Sequence, residues 1–137
     1  MDIHLFPVAN GKLAGYQSKT WTLKDIISLP ILLDEEKNWE DLIATSPLDA
    51  DYLRQTHSIR FFDSSHAIAA AKQGLGVALA DQMEVWQDLA EGKLVRLESH
   101  RLDTGKAYYL LTDKQPVRRV SLFADWLIEK INQRNTR

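Results

Sequence analysis

The sequence contains no cysteine, which excludes a disulfide framework and any thiolate metal site and suits a cytoplasmic chain. It also lacks an excess of positive charge. Seventeen Lys and Arg stand against nineteen Asp and Glu, giving a formal net charge of −2. A protein that holds DNA by neutralising phosphates carries a basic excess or a basic stripe. The local cluster of Arg118 and Arg119 with Lys130, Arg134 and Arg137 reads instead as a solvated helix face. No apolar run approaches the roughly 20 residues needed to cross a bilayer, so no membrane partner is expected. The opening Met1-Asp2-Ile3-His4-Leu5-Phe6-Pro7 has no charged segment before a long apolar core, and no secretion signal is read there. There is no internal repeat and no low-complexity stretch.

What remains is an ordinary globular composition. In 137 residues, 45% are hydrophobic and 26% charged, enough apolar surface to offset the entropy of ordering one domain. Residues 3–9 read as a strand ending at the Asn10-Gly11 turn signal. Thr20 or Thr22 caps a helix carrying Leu23, Ile26, Ile27 and Leu29 on one face, and Pro30 stops it. Ile31-Leu32-Leu33 is a compact buried strand, and Asn38 is expected to cap a helix with Trp39, Leu42 and Ile43 inward. Residues 48–55 are polar with few landmarks. A strand over 57–62 leads through Asp63-Ser64-Ser65 into an alanine-rich helix over 65–73, and Gly74 sits where a left-handed cap is needed. Val77-Ala78-Leu79-Ala80 is a further buried strand. Asp81 or Gln82 opens a helix with Val85, Trp86, Leu89 and Ala90 that Gly92 closes. Leu94, Val95 and Leu97 begin another strand, residues 107–112 form one of aromatic and aliphatic residues, and a last helix after Pro116 carries Val120, Phe123, Ala124, Leu127 and Ile131. Helices alternating with uninterrupted apolar strands predict an α/β fold with a largely parallel sheet. Asp103-Thr104-Gly105 marks a candidate turn between sub-domains.

Chemistry is sparse. His4, His57, His66 and His100 have no ligand spacing between any pair, so neither a metal nor a catalytic base is assigned, and no cofactor is expected. Asp34-Glu35-Glu36 reads as a solvated loop between strand and helix, because hard cations need ligands converging from a folded loop. Gly74-x-Gly76 closes a helix and opens a strand, the reverse of a phosphate loop, and nucleotide binding is rejected. No constellation of nucleophile, base and metal can be assembled, so an enzyme is not expected. The informative stretch is Phe61-Phe62-Asp63-Ser64-Ser65: a strand running straight into a helix N-terminus offers free N–H groups and the positive end of the helix dipole. Its two hydroxyls suit either a cap or ligand contact, and Asp63 competes for the cap. Tyr108 and Tyr109 lie on opposite faces of their expected strand, one toward the core and one toward a cleft or solvent. Trp21, Trp39, Trp86 and Trp126 read as packing residues.

The run Ile59-Arg60-Phe61-Phe62-Asp63-Ser64-Ser65, continuing through Ala67-Ile68-Ala69-Ala70-Ala71 to Gly74-Leu75-Gly76-Val77-Ala78-Leu79-Ala80, closely resembles the effector-binding domains of LysR-type transcription regulators. The likeness is to the branch of the glycine-cleavage activators and beta-lactamase regulators. Leu89-Ala90-Glu91-Gly92-Lys93-Leu94-Val95-Arg96, Ala107-Tyr108-Tyr109-Leu110-Leu111 and Phe123-Ala124-Asp125-Trp126-Leu127 agree in order and spacing. So do Leu5-Phe6-Pro7-Val8-Ala9, Leu23-Lys24-Asp25-Ile26 and Leu32-Leu33-Asp34 upstream. The resemblance implies a fold like the type II periplasmic binding proteins, with two α/β sub-domains joined by crossover strands. Residues 8–100 correspond to the second sub-domain and residues 101–137 to return elements of the first. It also implies that Ser65 and Tyr108 contact the effector, with Ser64 a neighbour. Everything before the first crossover, the helix-turn-helix included, is missing from the resemblance.

The expectation is therefore the sensing part of a regulator, binding a small polar metabolite and pairing with another copy or with a full-length regulator, with DNA reached only through the absent N-terminal domain. A remnant of a disrupted regulator, or a fragment of a solute-binding protein, stands as the alternative. The last helix is expected to expose Leu122, Phe123, Trp126 and Leu127, an apolar surface that favours association.

Overall fold

A computed structural model describes residues 1–13, 21–49, 51–97 and 101–135. Thr20, His100 and Arg137 of the sequence reading lie outside them. The elements are β1 (Asp2–Ala9), α1 (Leu23–Ile27), β2 (Ile31–Leu33), α2 (Asn38–Ala44), α3 (Asp51–Gln55), β3 (Ser58–Arg60), α4 (Ser64–Lys72), β4 (Ala78–Ala80), α5 (Gln82–Ala90), β5 (Val95–Arg96), β6 (Leu102–Ala107) and α6 (Arg118–Asn135).

Strand geometry sends successive side chains to opposite faces, and the buried residues divide accordingly. Leu5, Ala9, Ile31, Val77 and Leu79 join one core with Leu23, Ile26 and Ile27 of α1 and Trp39, Leu42 and Ile43 of α2. Phe6, Val8, Leu32, Ala78 and Ala80 join a second core with Ala67, Ile68, Ala70 and Ala71 of α4 and Val85 of α5. The uninterrupted apolar runs are thus strands covered by helices on both sides. The Trp39 indole N–H, buried in the first core, donates to the Leu32 carbonyl at 3.1 Å, so its one polar atom is satisfied.

The strand directions differ from the expected largely parallel sheet. β2 and β3 are parallel, and Ile31 bridges Val77 in the same sense. β1, however, pairs antiparallel with β4, β5 and β6. An apolar run reports burial on two faces and carries no information on direction. β1 is long enough to take β4 opposite Phe6–Val8, β5 opposite Val8 and Ala9, and β6 opposite its first half.

Local signals explain the helix ends. Thr22 caps α1 in a reciprocal box: its hydroxyl accepts the Asp25 N–H at 3.1 Å and the Asp25 carboxylate accepts the Thr22 N–H at 3.0 Å. Thr22→Ala is expected to lower stability by about 1 kcal/mol, read as a lower urea midpoint at unchanged slope; no shift in midpoint would show that the box contributes nothing. α4 closes in a paired C-terminal motif, with Leu75 N–H to Ala70 O at 3.2 Å and Gly74 N–H to Ala71 O at 2.9 Å. Gly74, at φ +79°, supplies the left-handed residue this motif needs.

Other expectations are corrected. The residue preceding α2 is Lys37, with no side-chain cap, and Asn38 is already helical; its amide donates to Glu36 instead, at 3.3 Å. The polar stretch 48–55 contains the short helix α3, none of whose residues is buried. Asp103-Thr104-Gly105 is no turn between units but part of β6, where the register against β1 shifts and the Thr104 hydroxyl donates to the Ile3 carbonyl at 2.8 Å. The last strand ends at Ala107, not Thr112. Past it, the Tyr108 N–H donates to the Met1 carbonyl at 2.8 Å, and among the described residues Tyr109–Leu111 find no backbone partner. Strand composition makes no strand without a neighbour to complete the ladder. Tyr108 and Tyr109 are accordingly 42% and 83% exposed, so neither ring enters the core.

α6 docks on α5 through Arg134, whose guanidinium lies 3.8 Å from the Trp86 ring centre; Arg134 is nonetheless exposed, as are Arg118, Arg119 and Lys130 of the same face. Trp126, read both as a packing residue and as part of the exposed apolar face, is 52% exposed and stacks on Phe123. Leu122 and Phe123 are each 58% exposed. Leu127 and Ile131 are only partly covered, and they line an apolar groove with Met83 and Tyr109. Ala90, expected inward on α5, is exposed.

Candidate functional site

The three strands that share one direction, β2, β3 and β4, each run out into an aspartate followed by a helix: Leu33-Asp34 before α2, Phe62-Asp63 before α4, and Ala80-Asp81 before α5. Open α/β sheets take their ligands outside the carboxyl ends of such strands. A cavity of about 320 Å³ lies there, near the lower end of small-molecule site volumes. Its floor is Ile3, Leu5 and Leu79; its walls are Asp34, Glu35, Glu36, Asp63, Ser64, Asp81 and Glu84, with Thr104 and Lys106 of β6 facing them and Phe62 at the rim.

Asp81 is the buried anchor of this wall, 6% exposed. One of its oxygens accepts the N–H groups of Met83 at 2.7 Å and Glu84 at 3.2 Å, capping α5. The other accepts the Tyr108 hydroxyl at 2.8 Å. Glu84 completes the capping box by accepting the Asp81 N–H at 3.2 Å, while its second oxygen accepts the Ser64 hydroxyl at 2.8 Å. A continuous hydrogen-bonded chain therefore runs from Tyr108 at the end of β6, through Asp81 and Glu84 at the start of α5, to Ser64 at the start of α4.

Two groups of this network, Glu84 and Tyr108, are shifted upward. Loss of hydration pushes the Glu84 carboxyl above its ordinary range, and the Asp81 charge adds to that, outweighing the Ser64 hydroxyl and Asp81 N–H bonds. Burial, then the Asp81 carboxylate, pushes the Tyr108 phenol well above its usual value, so it stays a neutral donor. Burial also raises Asp34, against the Glu36 N–H and the Arg60 charge. Asp63 is lowered, chiefly by the Ser65 hydroxyl and then by the His66 N–H.

Of the three residues singled out from the sequence, Ser64 lines the cavity and Tyr108 stands behind Asp81, reaching the cavity wall through it. Ser65 is exposed and donates to Asp63 at 2.6 Å. The cap of α4 is the Asp63 carboxylate itself, which accepts the His66 N–H at 3.0 Å, so neither hydroxyl is needed for capping. Sequence reasoning assigned no site role to Asp81, Glu84, Thr104 and Lys106, and set the 34–36 run aside as a solvated loop. The signal that finds Asp34, Asp63 and Asp81 is the repeated step from an apolar residue to an aspartate between a strand and the next helix, at Leu33-Asp34, Phe62-Asp63 and Ala80-Asp81.

Helices on both faces of a mixed sheet, a long crossover strand and a cavity at the strand ends define the type II periplasmic-binding-protein class of α/β fold. The LysR substrate binding domain model matches residues 1–132, and the chain belongs to that family. Among solved structures it is similar to the effector domain of AmpR from Pseudomonas aeruginosa, with 21% identity and a TM-score of 0.66 over 99% of this chain and 65% of that one. The AmpR effector binding domain from Citrobacter freundii gives the same identity and TM-score over 96% of this chain and 65% of that one. A Citrobacter freundii effector binding domain carrying three substitutions, of a threonine to valine, a serine to alanine and a tyrosine to phenylalanine, gives 20% identity and a TM-score of 0.57 over 74% of this chain and 50% of that one. The chain thus spans about two thirds of the length of the AmpR domains. No curated protein matches it. No helix among the described residues is long and apolar enough to cross a membrane.

Proposed function

We propose that this chain is the effector-sensing part of a cytoplasmic LysR-type transcription regulator, with no enzymatic role. In this reading a small polar metabolite binds in the cavity at the ends of β2, β3 and β4, where Ser64 contacts it directly; Tyr108 acts on it through Asp81, and Ser65 reaches it by turning from Asp63. Residues 8–100 act as one sub-domain and residues 101–137 as return elements of the other, so that a ligand against Thr104 and Lys106 touches both. DNA is read by a separate N-terminal domain, and the exposed face of α6 pairs with a second copy or with a full-length regulator.

The observation that carries the reading is the hydrogen-bonded chain Tyr108–Asp81–Glu84–Ser64 along the cavity wall, because it couples the return strand to the helix starts that a ligand would touch. The substituted Citrobacter domain adds support: its replaced serine and tyrosine are separated by the same number of residues as Ser65 and Tyr108. A thermal-shift screen of this chain against small polar metabolites tests the proposal. A ligand at a hundredfold excess over its Kd adds about 2.7 kcal/mol of stability, which for a domain of this size raises Tm by roughly 10 °C. The Tm gain is expected to shrink in Tyr108→Phe. A screen in which no metabolite moves Tm, or in which Tyr108→Phe responds fully, contradicts the assignment.

A further inference from the structure

We infer that the cavity selects effectors carrying a positively charged amine and rejects acids of the same size. This rests on the sensing role proposed above and specifies the class of ligand.

Two ordinary seats for an anion are already filled. A carboxylate or phosphate binds a helix start through its free N–H groups, but at α4 the Asp63 carboxylate accepts the His66 N–H at 3.0 Å, and at α5 Asp81 accepts those of Met83 and Glu84. An acidic ligand arriving here meets carboxylates where it needs donors.

The charge lining the cavity points the same way. Among the described residues, Asp34, Glu35, Glu36, Asp63, Asp81 and Glu84 line the cavity with one cation, Lys106, whose ammonium is engaged by Glu36 at 3.1 Å; outside the lining, Arg60 donates to the Asp34 carbonyl at 2.9 Å. Walls of one sign around a low-dielectric recess concentrate counter-charge. Asp34 and Glu84, both raised by loss of hydration, are carboxylates that a ligand ammonium would relieve. Glu35 has no hydrogen-bond or ion-pair partner among the described residues. The carboxylates do not converge as a chelate, since no group of three or more acidic or histidine side chains among the described residues is arranged to hold a metal ion. Their field is spread along a wall, which suits an organic cation more than a metal.

The rim supplies a third and independent feature. Phe62 lines the cavity while 74% exposed, an aromatic face left open beside a negative field. Ring faces attract ammonium groups. The floor of Ile3, Leu5 and Leu79 accommodates a short alkyl chain below the charge. The ligand that fits about 320 Å³ with an apolar floor, an acidic wall and an aromatic rim is a small aliphatic amine or a diamine.

Calorimetric titration with a series of equal carbon length tests this directly: 1,5-diaminopentane, 1-aminopentane, 1-pentanol, pentanoate and glutarate. The amines are expected to bind at least tenfold tighter than pentanol, the acids not measurably, and the preference to weaken as salt rises. The double variant Asp34→Asn, Glu35→Gln is expected to lose that preference at unchanged Tm, while Asp125→Asn on α6 keeps it. Pentanoate or glutarate binding as well as the amines overturns the inference yet leaves the sensing role standing. Silence across the series also overturns it, and the metabolite screen then decides the sensing role separately. Amine binding that persists undiminished in the double variant overturns it as well.

Discussion

Gly76→Ala is expected to be the most damaging single-atom change in the molecule, costing about 3 kcal/mol or more. A Cβ there would run into the Pro30 carbonyl oxygen and lie 3.0 Å from the Leu32 side chain. Neither neighbour can retreat. The Pro30 oxygen accepts the Val77 N–H at 2.9 Å, and the Leu32 N–H donates to the Val77 carbonyl at 2.9 Å; these two bonds join β2 to β4. Leu32 is 1% exposed and embedded in the second core. Gly74 makes the useful contrast. Nothing lies within 4 Å of a Cβ added there, but its φ is +79°, so Gly74→Ala pays only the left-handed backbone cost of about 1 kcal/mol. Chemical denaturation of both variants checks the ranking, and equal costs would mean that the approach of β4 to Pro30 is looser than described.

The second large effect is expected at Asp81. Asp81→Ala removes the cap of α5 and leaves the Tyr108 hydroxyl without its acceptor, for a combined loss of about 2–3 kcal/mol. Asp81→Asn keeps an oxygen for the Met83 and Glu84 N–H groups, and asparagine is itself a good cap, so it should cost less than half as much. Hydrogen exchange gives the finer test. In the alanine variant the amide of Tyr108, held by Met1, is expected to lose protection together with the first turn of α5, because one carboxylate fastens both. Faster exchange confined to α5 would show that Tyr108 is held independently of Asp81.

The elements easiest to read from the sequence were those in which local chemistry and burial agree. Thr22 with Asp25, Asp63 before α4 and Asp81 before α5 are side chains that satisfy the N–H groups of the helix they precede, and that signal is contained within four residues. The buried strands were equally plain, since Ile31-Leu32 and Val77 through Ala80 have no polar interruption. Direction was not, because the antiparallel partners of β1 lie about 70 to 100 residues away and an apolar run looks alike in either sense. Tyr108 to Thr112 misled for a related reason: aromatic and aliphatic residues favour a strand, but a partner decides whether one forms.

The site was partly legible. Ser64 and Tyr108 do join one wall, but the link runs through Asp81 and Glu84, which read in the sequence as a helix opening and nothing more. Charge runs usually mark solvated loops, and only the convergence of three strand ends shows that Asp34, Asp63 and Asp81 border a single cavity.

The most direct test of the central claim is amide chemical-shift mapping of the 15N-labelled chain as the best metabolite from the thermal screen is added. The largest perturbations are expected on residues 34–36, 62–64, 81–84 and 104–106, with Tyr108 moving in step with Asp81. Perturbations gathered instead along α6, or at the apolar groove of Met83, Tyr109 and Leu127, would contradict it.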